Sequence, residues 1–557
     1  MTYEEFLEIA SLASKLWLGL NVFNFGFCFL GRMFGFYHPG VYQFFLLFPW
    51  RPVWAVYAAV SEWKERIFHM GRRATAKWVG ILGVMCMVYR PGHLLLGRPL
   101  FLGMPLPQSV GTSISRHAVM IAGTGAGKTV MLQTLLGLHR GSALLIDPKL
   151  QMADTMQAAR QKLGPVYTLA PFNPDKSHAW NPLDEIAAAI EVFGIDTAPR
   201  FFLKLAESTI LKSGDEKPFF PDSARDIWAA IVAYVYATEP KPNRNLVTAR
   251  TYLMEGLCPE DFDDPVDAFM FLLSEMRRCK DFGGFISKRA IALQNTGPET
   301  LGNVLATART QTQWLDLPEV QATMTHSDFL LADLKRDKNP TTLFLGAPVT
   351  AIRGELSRWF RLIIEMSLYL FEITPGNLKH PCLFALDEFP SLGRMESVEV
   401  AAPLLRSFGV RLLPIAQDVE RLKQVYPHSW EGFLGNADVV YWMGTNHDGT
   451  AQYLERALGQ TTHKEKISGG GFSKEPKRYQ QKERPLMYAE QIKRFLDPDS
   501  GNMIVTRFGK RPLKLKHTPF YKELPVWLYD PDPNFKEATP RAWFRQFIQS
   551  FRKEKLS

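Results

Sequence analysis

Apolar and polar positions divide the chain into three stretches of different character. In the first, Leu16 to Gly31 carries no charge, is dense in Leu, Phe and Val, and is flanked by Lys15 and Arg32. Apolar character resumes over Met33–Tyr37, and the turn signal His38-Pro39-Gly40 follows. A second apolar run, Gly40 to Val60, is broken by Pro49, Arg51 and Pro52. A third, Trp78 to Tyr89, is shorter than the roughly 20 residues that a bilayer crossing requires. Trp50, Trp54 and Trp63 suit a membrane–water interface, and Lys64, Arg66, Arg72, Arg73 and Lys77 belong on its cytoplasmic side. The pattern predicts a two-span hairpin anchor with both ends cytoplasmic. An interfacial or three-pass arrangement, or helices buried in a soluble core, are the alternatives.

The second stretch holds short apolar runs of strand type: Ala118–Ala122, Ala143–Ile146, Thr341–Gly346, Cys382–Leu386, Val410–Gln417 and Val439–Met443. Between Asn181-Pro-Leu183 and about Leu334 the periodicity turns helical. Ile227, Ile231 and Val235 repeat every fourth residue, and prolines such as Pro240 and Pro259 punctuate the run. Gly354 to Phe371 reads as an amphipathic helix with Leu356, Trp359, Phe360, Ile363 and Leu370 on its apolar face. The third stretch is basic. Ile467-Ser-Gly-Gly-Gly471 opens a loop with Lys474, Lys477, Arg478, Lys482 and Arg484, which beside Tyr479 can grip single-stranded DNA or serve as a surface loop. Pro540 to Lys555 predicts a basic amphipathic tail for docking or the membrane face.

Two strand ends carry chemistry. The run Ala118–Ala122 leads into Gly123-Thr124-Gly125-Ala126-Gly127-Lys128-Thr129, with Val130 continuing into a helix. This is a phosphate-binding loop. Backbone N–H groups and a helix N-terminus cradle phosphates, Lys128 reaches the outer ones, and the Thr129 hydroxyl holds Mg²⁺. The first position of the pattern is Ala122 instead of glycine, a minor departure at the close of a strand. The run Cys382–Leu386 delivers Asp387 and Glu388, a Walker B pattern in which Asp387 holds Mg²⁺ and Glu388 orients or deprotonates the attacking water. A doubled acid predicts hydrolysis beyond binding. Gln417, ending the next strand, is placed to sense the outer phosphate or the water. Arg406 precedes that strand and is a candidate to act on a neighbouring subunit's phosphate, with Arg394 and Arg411 competing for the role. Asp147, ending the run Ala143–Ile146, points either to the nucleotide or to an ordinary turn.

Composition narrows the partners. A formal charge of +9 suits a polyanion or an anionic membrane without choosing between them. The basic stretch Arg277, Arg278, Lys280, Lys288 and Arg289 fits DNA phosphates, cargo or plain solvation. Five scattered cysteines without a C-x-x-C pair argue against a disulfide framework or a metal site. The 557 residues provide for more than one domain.

In order along the chain, the phosphate loop, A-L-L-I-D-P-K, A-W-N-P-L (179–183), L-D-E-F-P-S-L-G-R-M (386–395), I-A-Q (415–417) and E-R-P-L (483–486) resemble the TraG/TraD-like coupling proteins of type IV secretion and bacterial conjugation. The resemblance runs from about Gly97 to Tyr521. It implies an α/β fold: a RecA-like P-loop nucleotide-binding domain with an inserted all-α domain and an N-terminal helical transmembrane anchor. The expected boundaries are 1–96 for the anchor, 97–182 and 335–525 for the two parts of the nucleotide-binding domain, 183–334 for the all-α domain and 526–557 for the tail. It also implies an ATPase of the bacterial inner membrane, most of it cytoplasmic, that uses ATP and Mg²⁺ and assembles as a hexamer. Its partners would be single-stranded DNA bound to a relaxase and the components of the secretion channel. Lys128, Thr129, Asp387 and Glu388 carry over as nucleotide and catalytic residues, Gln417 as the sensor-like glutamine, and Arg406 as the arginine directed at the next subunit. The alternatives from other classes are an effector-protein export ATPase and a docking platform that moves no DNA.

Overall fold

A computed structural model describes residues 30–34, 75–106, 108–114, 116–211, 219–336, 338–466, 479–532 and 539–554. Most of the apolar runs Leu16–Gly31 and Gly40–Val60, and the loop opened by Ile467, lie outside the described residues. Among the described residues no helix is long and apolar enough to cross a membrane. The described strands in chain order are β1 (Leu94–Phe101), β2 (Met104–Pro105), β3 (Val110–Thr112), β4 (His117–Ala122), β5 (Ala143–Ile146), β6 (Val166–Leu169) and β7 (Thr342–Leu345). They continue with β8 (Cys382–Leu386), β9 (Val410–Ala416), β10 (Ala437–Met443), β11 (Gln460–Lys466), β12 (Tyr479–Pro485), β13 (Asn502–Arg507) and β14 (Lys510–Lys516). The chain divides into two compact units, one of residues 1–140, 154–162 and 411–557, the other of residues 141–153 and 163–410.

The first unit is built on a mixed sheet. β4 lies parallel to β10 and to β9, while β10, β13, β14 and β1 follow in antiparallel succession. All six residues of β4 are buried, which explains why its sequence is a continuous apolar run without alternation. Val119, Ile121, Val440, Trp442, Leu454, Ile492 and Ile504 form one core beside the sheet, and Trp78 packs against it. The third apolar run is therefore sheet cover: Val88 bridges to Val110 and Tyr89 is buried. The hairpin β11–β12 pairs from Gln460↔Pro485 to Lys466↔Tyr479, with Lys482 and Arg484 exposed.

A buried carboxylate ties distant parts of this unit together. Glu523, 1% exposed, pairs with Arg32 at 3.1 Å and with Arg98 of β1 at 3.2 Å. Burial alone would raise its pKa, but the charges of Arg32, Arg98 and Arg541 outweigh burial and hold it below 4.5. Its stabilising contribution is thus complete above the unfolded-state value of 4.5 and is lost as pH falls through the lower folded value. Replacing Glu523 with Gln removes the carboxylate that half-buried Arg32 and Arg98 share, and urea unfolding at neutral pH is expected to show a loss of about 3–5 kcal/mol. The gap between variant and parent should narrow below pH 4.5; an unchanged midpoint at neutral pH would show that the pairs contribute nothing net.

The second unit is a parallel sheet, β8–β5–β7–β6, with β5 between β7 and β8. Between β6 and β7 the described residues are helical, from Pro182–Phe193 through the long Phe219–Thr238 to Pro298–Gln311. The A-W-N-P-L stretch starts this succession by capping it. Asn181 Oδ1 accepts from the Leu183 N–H at 3.1 Å, and Pro182 occupies the first turn, where a missing N–H costs nothing. Buried Trp180 donates to Glu185 at 3.1 Å. Burial raises the Glu185 pKa to about 7, countered in part by the Leu331 N–H and Trp180.

The helix predicted over 354–371 occupies Ser357–Ile373, and Leu356 is its cap instead of part of its apolar face. It is amphipathic in pattern but buried on nearly every side. The polar positions are accommodated because Arg361 and Glu365 pair at 3.5 Å across one turn, both buried. The basic stretch 277–289 is largely engaged within the unit: Arg278 with Glu275, Arg289 with Asp226 and over the Phe285 ring, and Lys288 with the Gly283 carbonyl.

Candidate active site

The phosphate loop follows from where β4 ends. Ala122 is opposite Met443 in the β4–β10 register and is buried, so the first position of the motif is still strand and accepts a methyl group. Gly123 then donates to the Met443 carbonyl at 3.0 Å, and a Cβ there would collide with the Gly444 carbonyl. Gly125 and Gly127 have φ of 77° and 79°, the left-handed region in which side chains are strained. Thr124 and Gly125 are exposed, Ala126 and Val130 are buried, and Lys128 and Thr129 are half-buried in the first turn of the helix Lys128–Leu138.

Gly127 is the N-cap of that helix, no side chain caps it, and the first turn holds no acidic residue. First-turn N–H groups have no acceptor within their own helix. A glycine-walled cradle that presents uncapped N–H groups beside a lysine fits a phosphate group, and the Thr129 hydroxyl fits a Mg²⁺ ligand.

Gln417 lies in the same unit. Ile121 pairs with Ala416, so Gln417 follows at the level of Ala122, where the loop begins. Asp418 accepts from the Arg421 N–H at 2.7 Å, capping the next helix and fixing where the chain turns after Gln417. His117 Nδ1 accepts from the Leu412 N–H at 3.0 Å, which locks β9 against the start of β4. The outer wall of the loop is His517, whose Cε1 would stand 3.1 Å from a Cβ on Gly127. Burial, then Lys516 and Lys522, lower its pKa to about 4, so it is neutral near pH 7.

The acidic pair lies in the other unit. β8 is wholly buried and pairs with β5, Leu145 opposite Ala385. Asp387 and Glu388 leave its C-terminal end at 6% and 7% exposure, a strong degree of burial for two adjacent carboxylates. Asp387 Oδ1 accepts from the Glu388 N–H at 2.9 Å. Glu388 has φ 53°, a left-handed conformation that costs a non-glycine residue about 1–2 kcal/mol. Strain of this kind concentrates at functional positions. The Glu388 carbonyl accepts from the Ser391 N–H at 2.7 Å, and its carboxylate faces Arg353 at 3.5 Å. Arg361 donates to the carbonyls of Leu392 and Arg394 at 3.2 and 2.6 Å, holding the segment that follows the acids.

Asp147 ends β5 on the same side of this sheet and accepts from the Ala153 N–H at 2.9 Å, a local capping use. Of the three candidate arginines, Arg394 pairs with Glu399 at 2.9 Å and Arg411 donates to the Ile114 carbonyl at 2.8 Å. Arg406 ends the helix Glu396–Leu405 with its side chain exposed. Arg353, Arg361 and His517 were not evident from sequence. Each lies outside any motif and reaches its partner only through the fold.

The sequence pattern of the family described as type IV secretory system conjugative DNA transfer matches residues 77–551. Protein VirD4 of Agrobacterium fabrum is 26% identical over 469 residues, covering 81% of this chain and 66% of VirD4. Conjugal transfer protein TraG of Escherichia coli is 25% identical over 440 residues, covering 72% of this chain and 68% of TraG. The chain thus spans about two thirds of the length of these relatives. The unbound structure of bacterial conjugative coupling protein TrwBdeltaN70 superposes with a TM-score of 0.57 at 17% identity, over 76% of this chain and 88% of that one. TrwB in complex with ADP and Mg²⁺ superposes with a TM-score of 0.55 at 16% identity, over 80% of this chain and 92% of that one. These likenesses show a shared mixed α/β fold. The family match covers both β4 with its phosphate loop and β8 with its acidic pair, and the chain belongs to the type IV secretory system conjugative DNA transfer family.

Proposed function

We propose that this protein is an inner-membrane ATPase of a type IV secretion or conjugation system, most of it cytoplasmic. It recruits a relaxase–DNA nucleoprotein and couples ATP hydrolysis to its delivery through the secretion channel. The observation that carries the reading is the family match over residues 77–551, in a chain whose phosphate loop and buried acid pair are both intact. The architecture proposed is a RecA-like nucleotide-binding domain (97–182 and 335–525) with an all-α insert (183–334), an N-terminal transmembrane anchor (1–96) and a basic tail (526–557). The helical run between β6 and β7 supports the insert.

The roles follow from chemistry. Gly123 to Val130 enclose the phosphates of ATP with backbone N–H groups, and Lys128 neutralises the outer phosphate. Thr129 and Asp387 would hold Mg²⁺, which when bound offsets charge on the phosphate oxygens. Glu388 orients or deprotonates the attacking water, and its buried setting and Arg353 keep the carboxylate in one orientation. Gln417 reports the state of the outer phosphate. Arg406 acts on the neighbouring subunit's nucleotide in a hexameric ring. Arg394 pairs with Glu399 and Arg411 donates to the Ile114 carbonyl, which supports this choice.

The test is ATP turnover by the full-length protein in detergent, with and without single-stranded DNA, across a protein concentration series. The expected result is turnover that rises with DNA and with concentration. Turnover indifferent to both would favour a protein-cargo export ATPase or a docking platform. Arg406→Ala is expected to lower turnover by roughly 10³-fold in the assembled state only, the scale of an arginine finger. An equal loss in dilute monomer would remove the role in trans.

A further inference from the structure

Glu523 gathers one arginine from each of three separate elements of the first unit. Arg32 comes from the short helical segment at 30–34, Arg98 from β1, and Arg541 from the helix Thr539–Glu554. Arg541 is itself 3% exposed and donates to the carbonyls of Arg32 and Lys522 at 2.6 and 3.2 Å. The three elements are therefore joined at one buried point. Each also carries large apolar side chains in solvent: Leu30 and Met33 on the first, Leu102 and Met104 at the β1–β2 turn, and Trp543 and Phe547 on the last.

The fold leaves these side chains largely in solvent. Leu102 is 84% exposed and has φ 49°, a position where glycine or asparagine would cost less. It lies four residues beyond Arg98, within roughly 13 Å along the strand. Trp543 and Phe547 stand one helical turn apart and stack at 5.5 Å, and Phe34 meets Trp543 edge-on at 6.4 Å. The opposite face of the same helix is held to the unit, because Arg545 donates to the carbonyls of Val526 and Tyr529 at 2.6 and 2.9 Å. Its aromatic face is thereby turned outward.

We infer that this three-element apolar face seats the first unit on the lipid bilayer, with the C-terminal helix lying in the headgroup region. The inference rests on the anchor reading of the N-terminal segment. The occupant is argued from continuity: the segment 30–34 continues the uncharged run Leu16–Gly31, and Arg32, the charge at the end of that run, is the one pinned to Glu523. Tryptophan and phenylalanine with nearby arginines are the side chains that settle at a membrane–water interface. The arginine hub then serves a mechanical purpose. It ties the segment 30–34, β1 and the tail helix to one buried carboxylate.

The experiment places the full-length protein in phosphatidylethanolamine–phosphatidylglycerol vesicles carrying a diazirine-bearing phospholipid. After illumination, labelled peptides are mapped by mass spectrometry. Label is expected on peptides containing Leu102–Met104 and Trp543–Phe547 as well as on the run Leu16–Gly31. Leu102→Glu with Trp543→Glu should remove label from the first two while leaving the third. Both side chains are exposed, and an unchanged thermal midpoint confirms that the variant folds. Label confined to the run Leu16–Gly31 would overturn the proposal and leave the anchor reading standing. Absence of label from that run as well would remove both. Label on the turn and tail that persists unchanged in the double variant would also overturn the proposal.

Discussion

Lys128→Ala is expected to lower ATP turnover by at least roughly 10²–10³-fold, the scale on which removing one preorganised charge-stabilising group acts. The reason is local. The glycine turn at Gly125 and Gly127 shapes the loop and starts the helix Lys128–Leu138, but among the loop residues 123–130 only Lys128 carries a formal positive charge. Without it the backbone N–H groups still meet phosphate, but the charge developing on the outer oxygens has no cation from this loop. A fluorescent ATP analogue should bind more weakly, while the thermal unfolding midpoint and membrane association stay unchanged, because Lys128 lies half-buried at a helix start. Retained turnover would remove Lys128 from the phosphate site.

Glu388→Gln should separate binding from hydrolysis. Glutamine keeps the shape and the Ser391 backbone bond but neither carries the charge facing Arg353 nor accepts a proton from water. Turnover is expected to fall about 10²–10⁴-fold, the contribution of a positioned general base. Binding of the ATP analogue should remain close to that of the parent. Conjugative transfer should fall with turnover. Full transfer by a hydrolysis-dead Glu388→Gln protein would establish the docking-platform reading and refute a motor. Loss of nucleotide binding in this variant would instead place Glu388 in binding.

Local sequence signals located the glycine loop and the acidic pair at strand ends, since each is a short-range device. A buried apolar strand must end somewhere, and at β4 it ends in glycines that permit positive φ, at β8 in two acids. The helical character between β6 and β7 was legible from apolar spacing, and Asn181-Pro182 announced a helix start through capping chemistry alone. The periodicity over 354–371 predicted an amphipathic helix but not how much of it is buried, which is set by what packs around a helix, and a paired Arg361–Glu365 can go inside.

What the sequence by itself determined is therefore the type and order of elements and the strand ends at which the glycine turn and the paired acids stand. These depend on backbone preferences and side-chain chemistry within a few positions. What only the tertiary structure decided is which charges meet. Glu523 is 491 residues from Arg32 and 425 from Arg98, and no spacing rule connects them. Arg353 facing Glu388 and His517 against Gly127 are likewise products of chain crossings. The fold likewise supplies neighbours that no spacing rule predicts to two of the competing arginines, Glu399 to Arg394 and the Ile114 carbonyl to Arg411. Long-range pairing of charges is settled by the packing of apolar elements, because the burial of those elements supplies the dominant free energy and the polar groups must find partners where it leaves them.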